Sequence, residues 1–137
     1  MRAALTVAAQ NAKIRKHFPT FRQVMDADFM GVWEGTLTPI CQPYRVRLVY
    51  FCRRTFKYCM IVNPAIAVTV LDPKVGPNMR GTGERTPHIY ALNAPPDSPR
   101  LCLYDPGDWY PHEAIADTIL PWTIDWLFFY EGWLATG

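Results

Sequence analysis

The chain has 137 residues, of which 50% are hydrophobic and 14% aromatic, so it carries enough apolar material for one domain with a dense core. Fourteen Lys and Arg against twelve Asp and Glu give a formal charge of +2, too small for the basic field of a dedicated nucleic-acid binder. We expect a single domain over residues 1–137 without direct nucleic-acid binding.

The N-terminus lacks the features of a secretory signal, because polar residues such as Gln10 and Lys13 interrupt any apolar core. The longest apolar tract, residues 115–134, contains Asp125 and Glu131, which is typical of a buried helix rather than a membrane span. We therefore expect a cytoplasmic protein with no membrane partner.

Cysteine usage indicates neither a disulfide framework nor a metal site. A cytoplasmic chain keeps its thiols reduced, there is no C-x-x-C pair, and no histidine lies at zinc-site spacing from a cysteine. We expect no metal and no cofactor. The cysteines are Cys41, Cys52, Cys59 and Cys102.

The first predicted element is an amphipathic helix over Ala3–His17, ended by Pro19. Gln10, Lys13 and Lys16 are assigned to its polar face. Its apolar face is predicted to consist of small or short residues, namely Leu5, Ala8, Ala9 and Ala12.

Strands follow the helix. Segments rich in β-branched and aromatic residues predict strands at Asp28–Leu37, Tyr44–Arg53 and Ala65–Leu71, and Thr20–Met25 and Tyr58–Val62 are further candidates. Arginines alternate with apolar residues in the second of these segments, as on a half-buried strand. Short connections favour an antiparallel meander.

The stretch Asp72–Pro111 holds eight of the thirteen prolines and predicts a long, structured loop. Loops of this length in compact domains are usually functional, so any chemistry is expected here. One short segment, Arg100–Tyr104, interrupts it.

The closing segment His112–Leu134 predicts the main buried helical element, and Pro121 divides it into two helices or kinks it, with the proline in a first turn. The fold class is therefore α+β, an antiparallel β-meander flanked by an N-terminal helix and C-terminal helices. The predicted buried stripe comprises Ile115, Ile119, Trp122, Trp126, Phe129, Tyr130 and Trp133.

Cys102 is the candidate nucleophile, because it lies in the proline-rich loop and precedes a helix start. A thiolate held in such a loop can attack a carbonyl. The alternative is a short strand in which Cys102 is only packed. A cysteine hydrolase would need His88 or His112 as base, oriented by Asp97, Asp105 or Asp108.

Thioester formation requires less machinery than hydrolysis, since it needs an activated acyl group and a donor for the developing oxyanion. The Asn93 amide has this chemistry, but an Asn between Leu92 and Ala94 is equally typical of a turn.

The order of elements, together with Pro87-His88-Ile89-Tyr90, Leu101-Cys102-Leu103 and Trp109-Tyr110-Pro111, resembles the ubiquitin-conjugating enzymes. In that family a His-Pro-Asn element precedes the catalytic cysteine and a Trp-x-Pro follows it. Ile89 and Tyr90 replace the family's Pro and Asn here.

The chain also resembles one bacterial branch, the conjugating-enzyme-like proteins of type II CBASS antiphage operons. The residues that carry this resemblance are the run from Leu101-Cys102-Leu103-Tyr104 through Trp109, then Pro121-Trp122, Trp126-Leu127, Tyr130-Glu131, Trp133-Leu134 and Thr136-Gly137. This resemblance implies that the chain acts on the C-terminus of the operon's cGAS-like nucleotidyltransferase (CD-NTase), and that Cys102 carries it as a thioester. A chain of 137 residues has no room for the adenylating domain of the long form, so the short form is expected.

By the same resemblance, His88 and Tyr90 shape the catalytic loop, Asn93 is the oxyanion donor, and Tyr90, Tyr104, Asp105 and Trp109 border the bound tail. The rival interpretation is a non-catalytic adaptor that binds the CD-NTase through the same fold. Hydrophobic surface on the closing helix leaves a homodimer open as well.

Overall fold

The computed structural model describes residues 3–52, 65–76, 89–90, 100–104 and 108–136. The described strands form one sheet in the order β1-β2-β3-β4-β6-β5, and all neighbouring strands pair antiparallel. This arrangement confirms the predicted α+β fold with its meander and flanking helices. In chain order the elements are α1 (Val7–His17), β1 (Arg22–Asp26), β2 (Met30–Leu37), β3 (Tyr44–Phe51), β4 (Ile66–Asp72), β5 (Ile89–Tyr90), β6 (Arg100–Leu101), a 3₁₀ helix (Ile115–Asp117) and α2 (Ile119–Thr136).

The meander follows the predicted strands with small shifts at their ends. In β3, Val46 and Leu48 are buried while Arg45 and Arg47 are exposed, as the alternation predicted. Both arginines pair with Glu34 of β2 on the outer face of the sheet, at 3.0 and 2.8 Å. The candidate strand Thr20–Met25 is confirmed as β1, whereas Tyr58–Val62 and Cys59 lie outside the described residues.

Helix α1 begins later than predicted and buries a different face. Thr6 is its N-cap, since the Thr6 hydroxyl oxygen accepts a hydrogen bond of 3.0 Å from the Ala9 N–H. The buried residues are Val7, Gln10 and Ile14, whereas Ala8 is exposed. The alanine-rich face was therefore the wrong choice, because the longer side chains fill the space above the sheet and Gln10 finds polar partners there.

Gly35 of β2 allows Phe21 to pack closely against the inner face of the sheet. A Cβ added at Gly35 would lie 2.7 Å from the Phe21 Cα, so only glycine fits at this point of β2. Two strand residues away, the buried Trp33 donates its indole N–H to the Asn11 side-chain oxygen at 2.9 Å. This hydrogen bond holds helix α1 against strand β2 of the meander.

The C-terminal segment divides as predicted into a short 3₁₀ helix and the longer α2, with Pro121 in the first turn of α2. One member of the predicted buried stripe is wrong, because Phe129 is 71% exposed and Phe128 beside it is 50% exposed. Within the described part of the chain, no helix combines the length and apolar character needed to cross a bilayer.

Candidate active site

Cys102 directly follows β6, a strand held on both sides within the sheet. Arg100 pairs with Thr69 of β4 and with Tyr90 of β5, and Leu101 pairs with Ile89 of β5. The cysteine itself is a half-buried free thiol. The packed-strand alternative placed Leu101, Cys102 and Leu103 in one strand, whereas β6 ends at Leu101 and Cys102 lies just past the last ladder position.

Two anchors hold the Cys102 segment. Before the cysteine, Leu101 is buried in the core. After it, the Tyr104 ring lies between two tryptophans, with ring centroids 6.2 Å from Trp109 and 6.1 Å from Trp122. Cys102 thus lies in the chain between a buried aliphatic residue and an aromatic cluster, and these two anchors limit the movement of its backbone.

Trp109 is the centre of that aromatic cluster and is only 5% exposed. Its ring meets Tyr50 of β3 edge-on at 6.4 Å. The indole N–H donates a 2.8 Å hydrogen bond to the Thr118 hydroxyl oxygen, and the Thr118 hydroxyl in turn donates to the Ala114 carbonyl at 2.8 Å. The buried indole therefore has its polar group satisfied, as burial requires.

Helix α1 fixes the segment between Trp109 and the 3₁₀ helix. The Gln10 side-chain amide, fully buried, donates to the Glu113 carbonyl at 3.0 Å, and its oxygen accepts from the Ile115 N–H at 2.9 Å. The Tyr50 hydroxyl donates its single proton to the carbonyl oxygens of Leu5 and Pro111, at 2.6 and 3.1 Å. The first residues of the chain and the site segment are thereby joined.

Burial keeps the phenol groups of Tyr50 and Tyr44, both on β3, protonated. Desolvation raises the pKa of Tyr50, so its hydroxyl keeps the proton that it donates. At the start of β3, desolvation and then the nearby Glu131 carboxylate raise the pKa of Tyr44 to about 12. Both side chains are neutral donors throughout the physiological range.

The structure places the predicted site residues Tyr104 and Trp109 in ring contact, and Cys102 lies two residues before Tyr104 in the same segment. The Tyr90 backbone pairs with β6 beside them, but its side chain lies outside the described residues. His88, Asn93 and Asp105 also lie outside the described residues. Their assigned roles stay predictions.

His112, a candidate base for the hydrolase alternative, stacks on the exposed Tyr110 ring at 6.0 Å with an interplanar angle of 8°. Asp108, a candidate orienter, is exposed. Among the described residues, no group of His, Cys, Asp and Glu side chains has the grouping that could hold a metal ion.

The supporting polar residues Gln10, Tyr50 and Thr118 were missed by the sequence reasoning. Gln10 had a usable signal, because Val7, Gln10 and Ile14 recur at helical spacing and mark one face. Thr118 had none, since its role depends on the position of an indole nine residues earlier.

An antiparallel meander preceded by one helix, followed by a cysteine segment that packs on C-terminal helices, is the arrangement of ubiquitin-conjugating-like (E2-like) proteins. The chain belongs to the family of type II CBASS E2 proteins, whose family model matches residues 10–137. A comparison with curated proteins finds no match.

Proposed function

We propose that the protein is a cysteine-dependent acyl carrier whose Cys102 forms a thioester with the C-terminus of the CBASS CD-NTase and so regulates antiphage signalling. The observation that carries this proposal is the half-buried free thiol of Cys102 at the end of β6, in a chain of the type II CBASS E2 family. A thiol at a fixed position is what capture of an activated carbonyl requires.

The proposed reaction is a substitution at the tail's C-terminal carbonyl. The Cys102 thiolate attacks the carbonyl carbon, the carbon–sulfur bond forms, and the activating group leaves with the electron pair of the bond that breaks. The thiol proton passes to solvent. An acceptor amine then attacks the thioester and returns the thiolate. The activating group is supplied from outside this chain.

The neighbouring residues have defined roles in this proposal. Tyr104 and Trp109 border the bound tail, and their ring contact holds the segment that follows Cys102 in place. Asn93 is the proposed oxyanion donor, and His88 and Tyr90 shape the loop that carries it. Asp105 borders the bound tail.

The second candidate function is a non-catalytic adaptor for the CD-NTase. Its support is that Leu103 and Tyr104, which follow Cys102 directly, pack against the core cluster. In that case Cys102 is a partly buried packing residue, and the partner is held without a covalent bond.

Co-expression with the CD-NTase encoded beside the gene, followed by intact mass spectrometry, separates the two functions. Cys102→Ser is the test variant, and Cys41→Ser is the matched control, since Cys41 is an exposed free thiol outside the site. The carrier predicts a species whose mass is the sum of the two proteins minus one water in the wild type and in Cys41→Ser. Its absence from all three samples, with co-purification intact, favours the adaptor.

The linkage chemistry is read from the same samples. A thioester yields to neutral hydroxylamine, whereas the ester in Cys102→Ser is more persistent and a disulfide yields only to reductant. The cysteine-hydrolase alternative instead predicts that replacement of its base, His88 or His112, abolishes turnover.

A further inference from the structure

Thr118 lies at the junction of the 3₁₀ helix and α2 and uses every polar group that it has. Its hydroxyl accepts from the Trp109 indole and donates to the Ala114 carbonyl, both at 2.8 Å. Its backbone N–H donates to the Ile115 carbonyl at 3.3 Å, and its carbonyl accepts from the Trp122 N–H at 2.9 Å. One residue therefore joins the two tryptophans that flank Tyr104.

The hydroxyl of Thr118 determines which way the Trp109 indole faces. A buried ring held only by apolar contacts can tilt, but a hydrogen bond to its single N–H fixes which edge of the ring faces the acceptor and restricts the tilt. The ring in that orientation lies at 40° to the Tyr104 ring, with centroids 6.2 Å apart. The position of the Tyr104 ring thus depends on the Thr118 hydroxyl.

A movement of Tyr104 also moves Cys102, because only Leu103 separates the two residues in the chain. On the other side Leu101 is fixed in the core. A shift of the Tyr104 ring must therefore be absorbed by the Cys102–Leu103 backbone, since the preceding anchor cannot follow. Small displacements of a nucleophile have large effects on the rate of attack.

We propose that Thr118 is a positioning residue for Cys102, acting through the Trp109 indole and the Tyr104 ring to hold the thiol where an acyl group can reach it. This inference rests on the proposed acyl-carrier function. The Thr118 hydroxyl contacts the Trp109 indole and the Ala114 carbonyl, so the proposed effect on Cys102 runs through the two rings.

Thr123 provides a matched control. It is also a threonine near the start of α2, it is fully buried, and its hydroxyl donates to the Ile119 carbonyl four residues earlier at 2.7 Å. Unlike Thr118, it has no hydrogen bond to an indole among the described contacts. Thr123→Val therefore removes a comparable hydroxyl without touching the Trp109 contact.

Two assays on purified Thr118→Val, Thr118→Ser and Thr123→Val test the proposal. The first is the rate at which iodoacetamide alkylates Cys102, followed on the tryptic peptide 101–137, and it needs no partner. The second is transfer to Cys102 of a peptide with the CD-NTase C-terminal sequence, supplied as a small-thiol thioester. Its dependence on peptide concentration separates the maximum rate from the half-saturating concentration.

For Thr118→Val we expect the maximum transfer rate to fall about 10-fold, with the half-saturating concentration unchanged. We expect alkylation to rise about threefold or more as the segment loosens. Thr118→Ser, which retains the hydroxyl, should restore both values. Equal rates in Thr118→Val and Thr123→Val, in both assays, overturn the proposal.

Trp109→Phe provides a second test that does not depend on the stability of Thr118→Val, and where Thr118→Val is stable the two variants complete a double-mutant cycle. Trp109→Phe removes the indole N–H from the other side and retains an aromatic ring, so it should reproduce the same changes. The double variant should then match Trp109→Phe within about twofold, whereas additive losses contradict the relay. If the wild type accepts no peptide, the proposed function fails, and the alkylation rates alone still decide the role of Thr118.

Discussion

Replacement of Gln10 by Met is expected to destabilise the protein more than the same replacement at any other glutamine. Gln10 is 0% exposed, and its amide satisfies the Ile115 N–H and the Glu113 carbonyl. Methionine fits the space but makes neither hydrogen bond. The buried Ile115 N–H then loses its partner, at a cost of about 1–3 kcal/mol, and the partly exposed Glu113 carbonyl adds up to about 1 kcal/mol.

The summed loss of about 1–4 kcal/mol in the free energy of unfolding corresponds to a fall in Tm of about 3–16 °C for a domain of this size. Thermal and urea unfolding, monitored by tryptophan fluorescence, measure it. Gln42→Met is the control, because the Gln42 amide is exposed and donates only to the adjacent Pro43 carbonyl. It should stay within about 0.5 kcal/mol of wild type. Equal unfolding free energies for both variants would refute the structural role of Gln10.

Two glycines are predicted to respond in opposite directions to alanine. Gly35→Ala should lower the unfolding free energy by about 2 kcal/mol or more, because its Cβ would meet the Phe21 backbone, whereas Gly132→Ala in α2 should raise it by about 0.5–1 kcal/mol, since nothing lies within 4 Å of the added Cβ. Urea unfolding of both variants checks this, and a shared sign contradicts it. Tyr44 should make stability fall at high pH: its folded pKa of about 12 lies above the unfolded value of 10.0, so its contribution is complete below pH 10 and is lost as the pH rises toward 12. Unfolding between pH 9 and about 12 should therefore show a shallower loss for Tyr44→Phe than for wild type, by about 1–3 kcal/mol, and parallel curves would contradict this.

The meander could be predicted from the sequence because strand alternation is a local signal. In β3 the exposed arginines and buried aliphatic residues follow period two, and the register with β2 then places the paired charges on one face. Pro121 likewise marked the start of α2, since proline is accepted only in a first turn.

Helix faces were harder to predict, for a physical reason. Val7, Gln10 and Ile14 recur at helical spacing, but the polar side chain of Gln10 counted against that face, and its burial depends on polar groups of a segment a hundred residues later that need partners. Phe129 was assigned to the core because its side chain is hydrophobic. No feature of the nearby sequence indicates that its side of α2 is exposed.

Of the candidate site, the sequence suggested Cys102, Tyr104 and Trp109 as site residues but not the polar residue that holds Trp109. Cys102, Tyr104 and Trp109 lie in one short segment, so their proximity follows from chain order. The contact between Trp109 and Thr118 depends on a turn that brings the 3₁₀ helix back over the indole, and no motif encodes such a contact.

The most direct test of the account locates the acyl group on its residue. Trypsin cleaves after Arg100, and Cys102 is the only cysteine in residues 101–137, so one peptide reports on this thiol alone. The protein is co-expressed with its CD-NTase, digested without reductant at mildly acidic pH, and analysed by tandem mass spectrometry. We predict peptide 101–137 with the CD-NTase C-terminal fragment on the Cys102 sulfur, removed by neutral hydroxylamine. An unmodified Cys102 peptide, with the two proteins still co-purifying, would contradict the carrier function and establish the adaptor in its place.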